Sequence, residues 1–181
     1  MRRGFSVRVF ALLAAMSCAA AAQPDIPIGY RQIAHEYAIP PELLYAVALT
    51  ESGKSIGTAA TLRPWPWTLN IAGMPHYFER RQAAERALVR GLASGQDLID
   101  VGLMQVNWRY HRQHLRDPSS ALDPYHNLRI AARILYECHR DRADWWLAVG
   151  CYHAPRNAER AEHYRVQVRR HWRRLQAGDA S

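Results

Sequence analysis

Pro40-Pro41-Glu42-Leu43-Leu44-Tyr45-Ala46-Val47-Ala48-Leu49-Thr50-Glu51-Ser52-Gly53 is the stretch on which the reading of this chain turns. Proline is tolerated in the first turn of a helix, where its missing N–H has no partner to lose, so Pro40-Pro41-Glu42 opens a helix. Leu43, Leu44, Val47 and Ala48 then fall at helical spacing. The helix ends around Ser52-Gly53, which sets Glu51 in its last turn, with its stem in the core and its carboxyl at the lip of a cleft. A polar residue following the apolar run 43–49 is either paired or there for chemistry. A carboxyl held against apolar side chains has its charged form disfavoured, so it can stay protonated near neutral pH and serve as a general acid.

Working outward, the pattern fits a short helix over residues 28–37. The helical period is lost between 53 and 77, and the aromatic segment 63–78 reads as a strand, a turn near Ala72-Gly73 and a second short strand. A helix returns over 79–93 with Ala83, Ala84, Ala87, Leu88 and Leu92 toward the core, and Gly95 separates it from the segment 100–106. Asp123-Pro124, aspartate as cap and proline at the first position, starts a helix running to about 139, with Leu128, Ala131, Ala132 and Leu135 on one face. A short helix over 143–152 follows. Asn157 caps the last one, which turns Ala161, Tyr164, Val168 and Trp172 inward. Helices dominate with one small β excursion, so the expected class is mainly α, in one compact domain without internal repeats.

The 181 residues are 49% hydrophobic. Arg2, Arg3 and Arg8 form a positive leader, residues 9–16 an apolar stretch, and Ala20 and Ala22 the small residues of a cleavage site before Gln23. The expected division is a signal peptide over 1–22 and a mature domain over 23–181, exported to the periplasm. Ala15-Met16-Ser17-Cys18 loosely resembles a lipidation site at Cys18, but a bulkier aliphatic residue is usual in place of Ala15, and simple cleavage fits better. Beyond the leader no apolar run is long enough to span a membrane. The remaining cysteines, Cys138 and Cys151, are an even pair in an oxidising compartment, which favours a single disulfide over two buried thiols. His139 and His153 lie nearby without regular ligand spacing, so no metal is expected. No nucleotide or haem motif is present, so no cofactor is expected either.

The formal charge is +8, and +5 without Arg2, Arg3 and Arg8, as 21 basic against 16 acidic residues. A basic surface suits an acidic partner. Nucleic acid, anionic lipid and peptidoglycan all qualify, and export argues against nucleic acid. Much of the excess sits at Arg165, Arg169, Arg170, Arg173 and Arg174, most simply a solvated helical face.

Four pieces in order carry a resemblance: Glu51-Ser52, Gly102-Leu103-Met104-Gln105-Val106, Asp123-Pro124-Tyr125-His126-Asn127-Leu128, and Trp146-Leu147-Ala148-Val149-Gly150-Cys151-Tyr152-His153-Ala154-Pro155. Together they resemble the lytic transglycosylase (SLT) domain of the lysozyme-like superfamily, of the soluble type found with conjugation and type IV secretion systems. The resemblance covers most of the mature chain. It implies a lysozyme-like helical domain with a small β-hairpin-like insertion at the cleft, acting on peptidoglycan glycan strands. Glu51 takes the place of the family's catalytic acid and base. Ser52 either hydrogen-bonds near the site or only caps the helix end. Gln105 would offer a donor and an acceptor to a sugar N-acetyl group, and Met104 would line the sugar subsite, with Leu103 and Val106 in the core. Tyr152 stands where the family has a tyrosine whose hydroxyl helps hold the acid. His153 replaces the usual Asn and Pro155 the usual Gly, although imidazole can still donate and accept hydrogen bonds.

Sugars present flat C–H faces that pack on aromatic rings, so one or two of Trp65, Trp67 and Tyr77 would line a subsite, with Asn70 the first polar choice. Core packing is the commoner role for any single Trp. A hydrolase needs a second carboxylate, for which Asp100 is the candidate, although aspartate in such a position more often braces a loop. With Glu51 alone, the resemblance implies substrate-assisted cleavage between N-acetylmuramic acid and N-acetylglucosamine, closing the muramoyl C6 hydroxyl on C1 to a 1,6-anhydro end. The rivals are a hydrolytic muramidase using Glu51 and Asp100, and a catalytically silent glycan-binding scaffold subunit. The resemblance further implies a local wall opener for a conjugation, secretion or pilus apparatus.

Overall fold

The computed structural model describes residues 26–58 and 60–177; the leader, its cleavage point and Cys18 lie outside the described residues. Its central element is α2 (Pro41–Ser52), in which Leu43, Leu44, Tyr45, Ala46, Val47, Ala48 and Leu49 are all buried. A helix apolar on every side has no solvent face, and α2 is accordingly enclosed by its neighbours. It stops at Gly53 for a steric reason. A Cβ there would lie 2.3 Å from the Leu49 carbonyl oxygen, so only glycine lets the chain leave so tightly.

The chain then forms an antiparallel hairpin, β1 (Gly53–Ile56) with β2 (Thr61–Pro64). A second hairpin joins β3 (Thr68–Ile71) and β4 (Met74–Tyr77) across Ala72 and Gly73. Both turn residues have positive φ, 53° and 86°, the geometry that matches the twist of paired strands. After α3 (Arg81–Ala93), β5 (Ile99–Val101) and β6 (Val106–Asn107) complete an antiparallel sheet of order β4-β3-β5-β6. The turn at Ala72-Gly73 stands where the sequence predicts it. Residues 61–64 instead pair backward with β1, and the segment 100–106 contributes to two further strands, so there are two sheets where one excursion was expected.

Directly paired residues share a face of a sheet. Leu69, Val101 and Val106 are paired across β3, β5 and β6, and all are buried on the core side. Asn70, Asp100 and Asn107 are paired across the same strands and form a polar row on the opposite face.

The helical half begins with α1 (Ile28–Glu36), close to its expected span. Beyond the sheet come two helices that the sequence reading did not place, α4 (Trp108–Leu115) and α5 (Pro118–Ala121). The next, α6 (Pro124–Arg142), opens as expected with the Asp123 carboxylate accepting the His126 N–H at 2.8 Å, and runs on to Arg142. The short helix α7 (Trp145–His153) is capped by Asp144, and α8 (Ala158–Gln176) by Asn157, whose side chain accepts the Arg160 N–H at 2.9 Å. The last helix packs on both α7 and α2. Cys138 of α6 and Cys151 of α7 form the expected disulfide. The class is the expected one, mainly α with small antiparallel sheets. Among the described residues no helix is long and apolar enough to cross a membrane.

Candidate active site

Glu51 sits in the last turn of α2, half-buried, where α8 crosses that helix. Its Oε1 accepts a 2.5 Å hydrogen bond from the Tyr164 hydroxyl. Tyr164 is 4% exposed, and the His153 ring lies flat against it, with centroids 4.3 Å apart and planes within 3°. Burial pushes the Glu51 carboxyl from 4.5 up to about 8; the Tyr164 hydrogen bond works the other way, and the neighbouring Asp100 carboxylate pushes it up further. The acid is therefore protonated at neutral pH. It is also accessible, because a cavity of about 340 Å³ opens beside it, lined by Thr50, His153, Arg160, His163 and Tyr164.

The hydrogen bond to Glu51 was expected from Tyr152, and here the expectation is corrected. A phenol has one proton to donate, and Tyr152 gives it to the Met104 carbonyl at 2.7 Å. Tyr152 is nevertheless close to the site, for burial and the nearby Glu51 and Asp100 charges all raise its pKa. Its role here is to tie α7 to the loop that carries residues 102–105.

That loop is fixed from three sides. The fully buried Ser52 hydroxyl donates to the Leu103 carbonyl at 2.6 Å and accepts the Trp65 N–H at 3.2 Å, so in this structure Ser52 is an internal brace with no surface to offer a sugar. Asn127, also fully buried, accepts the Met104 N–H at 2.8 Å and donates to the carbonyls of Val101 and Ala121 at 2.9 and 3.1 Å. Gly102, at φ +79°, packs where a Cβ would come within 2.8 Å of the Asn127 Nδ2. Met104 is 0% exposed, which corrects its assignment to a sugar subsite; its side chain belongs to the core. The Gln105 amide nitrogen donates to the Gly102 and Thr68 carbonyls at 2.8 and 3.2 Å. Both of its protons are thus engaged within the chain, and only the amide oxygen remains for a ligand.

On the sheet, the Asn107 Nδ2 donates to the Asp100 Oδ1 at 2.7 Å. Burial raises the Asp100 pKa, and this hydrogen bond opposes the rise. The Asn70 and Asn107 side-chain oxygens are buried without a hydrogen-bond partner among the described residues, an unusual state for such groups. Tyr77 is 43% exposed on β4, on the same face as Asn70 through its pairing with Thr68. Trp67 packs against the core and edge-on to Trp65, with centroids 5.4 Å apart. Trp65 is itself fixed by its indole N–H on the Phe78 carbonyl at 2.7 Å. Sequence reasoning assigned no role in the site to Tyr164, Asn107, Asn127, Arg160 or His163. Tyr164 had been placed on the inward face of its helix, but a helical period does not separate a packing tyrosine from one that holds an acid.

No curated protein and no solved structure matches the chain. A family model described as Transglycosylase SLT domain matches residues 30–172, a span that contains Glu51, the polar row of the sheet, the loop at 102–105 and Tyr164. The chain therefore belongs to the transglycosylase SLT domain family, whose activity is of the lytic-transglycosylase type on peptidoglycan.

Proposed function

We propose that this chain is a metal-independent lytic murein transglycosylase that cleaves the β-1,4 bond between N-acetylmuramic acid and N-acetylglucosamine and leaves a 1,6-anhydro-muramoyl end. The observation that carries this reading is the state of Glu51: a carboxyl protonated up to about pH 8, open to a cavity and hydrogen-bonded by Tyr164. Glu51 gives its proton to the glycosidic oxygen as the bond to the muramoyl C1 breaks, and the substrate's own acetamido group stabilises the positive carbon. The Glu51 carboxylate, still accepting the Tyr164 hydrogen bond, takes the proton of the muramoyl C6 hydroxyl as O6 closes on C1. Acid and base are the same group, no water enters, and Glu51 ends protonated as it began.

A second reading, hydrolysis by Glu51 with Asp100, is favoured by the one observation that Asp100 lies near enough to raise the Glu51 pKa. The mass of the released muropeptides separates the two. Anhydro ends, lighter by one water than reducing ends, support the transglycosylase; reducing ends alone support the hydrolase; retention on murein with no release supports a silent scaffold. We further propose export to the periplasm, with the chain opening the wall locally for a conjugation, secretion or pilus apparatus. In that setting a strain carrying Glu51→Gln loses the transfer or secretion that the wild-type chain restores.

A further inference from the structure

The cavity beside Glu51 has a wall whose chemistry the reaction above does not use. Arg160, His163, Tyr164 and Gln167 follow one another on α8 at the spacing that places side chains on one helical face, and all line this cavity together with His153. Tyr164 holds the acid, whereas the side chains of Arg160, His163 and Gln167 have no hydrogen-bond partner among the described residues. Among the described residues no carboxylate pairs with Arg160; the four ion pairs use Arg109, Arg129, Arg133 and Arg165. The Arg160 charge bears on this cavity, since it lowers the pKa of His153 after the larger effect of burial. Glu51, among the described residues the one acidic side chain lining the cavity, is neutral at pH 7 and does not compensate it. Arg160 also stands in the first turn of α8, where the helix dipole is positive and a cation is disfavoured unless an anion comes close. Glu159, beside it in sequence, does not line the cavity.

We propose that Arg160, with His163 and Gln167, is a specificity site that binds a carboxylate on the side arm of the muramoyl sugar, next to the bond that Glu51 protonates. The inference rests on the proposed function for its substrate. The arm is a lactyl ether whose carboxyl either carries a peptide stem, itself ending in carboxylates, or is free. Both sources present the same group to Arg160, and guanidinium matches a carboxylate in a planar, two-pronged geometry that a lone ammonium does not reproduce.

The test compares wild type with Arg160→Gln, Arg160→Lys and Arg86→Gln on three murein substrates: native, amidase-stripped with the lactyl carboxylate free, and native with its carboxyl groups converted to amides. Two quantities are read on each, kcat/KM for product release and binding by co-sedimentation. Wild type prefers native over amidated murein. In Arg160→Gln that preference falls by about tenfold or more, the scale of one charge-assisted hydrogen bond, and Arg160→Lys recovers part of it. Arg86→Gln, which removes the same charge from the exposed surface of α3, changes it by less than about twofold. A loss seen on native but not on stripped strands identifies the stem carboxylates as the ligand, and a loss seen on both shows that the site also takes the lactyl carboxylate once the stem is removed. An Arg160→Gln protein that keeps the wild-type preference in both readouts, or loses no more of it than Arg86→Gln, overturns the proposal. If the wild-type chain releases no product from any murein, the proposed function fails by itself, and carboxylate-dependent binding still decides the Arg160 site.

Discussion

Glu51 and Tyr164 are 113 residues apart in the chain, and the hydrogen bond between them opposes the burial that keeps the acid neutral. Replacing Glu51 with Gln leaves an oxygen for Tyr164 but removes the proton that is transferred. Product release should fall roughly 100- to 10,000-fold, the range of general acid–base catalysis, with the circular dichroism spectrum unchanged. The same variant has a stability signature. The folded pKa of Glu51 is raised, so folding takes up a proton between about 4.5 and about 8, and stability is lost as pH rises through that window. Glu51→Gln should therefore raise the melting temperature more at pH 8 than at pH 5; an equal gain at both contradicts the buried, neutral acid. Tyr164→Phe removes a hydrogen bond that favours the charged form. The alkaline limb of the kcat/KM profile should move to higher pH while kcat falls, and a limb that stays in place or moves down would show that Tyr164 does not act on Glu51. The position of the acid was legible in sequence because an ionisable residue ended an apolar run. Its partner was not, since Tyr152 and Tyr164 are both buried tyrosines beside the site and only geometry distinguishes which hydroxyl reaches Oε1.

Among the elements, those whose ends carry a local chemical signal were readable. Proline in the first turn of α2, the Asp123 cap of α6 and the Asn157 cap of α8 mark their starts without any tertiary information. The strands β1, β2, β5 and β6 have two to four residues each, too few for alternation to show, and they exist because neighbouring segments pair with them. The brace on the loop at 102–105 was hidden for a similar reason: Asn127 lies in the first turn of α6, and its three partners come from three other segments. Asn127→Ala leaves the Met104 N–H and two carbonyls buried without it. A loss of about 2–4 kcal/mol in urea unfolding is expected, from three buried hydrogen bonds. A loss below about 0.5 kcal/mol, the level of an ordinary surface change, would remove Asn127 from the account. The Cys138–Cys151 bond closes a span of 13 residues between α6 and α7. By loop entropy a closure of that size contributes about 3 kcal/mol, so the double Cys138→Ser, Cys151→Ser variant should unfold at correspondingly lower urea, and reductant should lower the midpoint of the wild type but not of the variant.

Over the whole molecule the charge that first suggested an acidic partner proves to be of two kinds. Arg109 with Asp97, Arg129 with Glu36 and Arg133 with Glu137 are exposed pairs, which contribute little to stability. Arg170, Arg173 and Arg174 on α8 are exposed and form no ion pair among the described residues, so the excess remains available to an external anion. Composition gave the sign of this charge, but its sorting required the fold, since Arg129 and Glu36 are 93 residues apart. The two kinds respond differently to salt. Between about 50 mM and about 500 mM the screening length falls to a few ångströms, so attraction between separated charges is largely lost while packed contacts are not. Co-sedimentation with native murein should therefore weaken steeply over that range, whereas the urea midpoint should hardly move, because the core of α2 and its neighbours is apolar and the ion pairs are exposed. Binding that survives high salt unchanged would mean that the basic face of α8 takes no part in holding the substrate, and that shape and hydrogen bonding at the cleft carry the association alone.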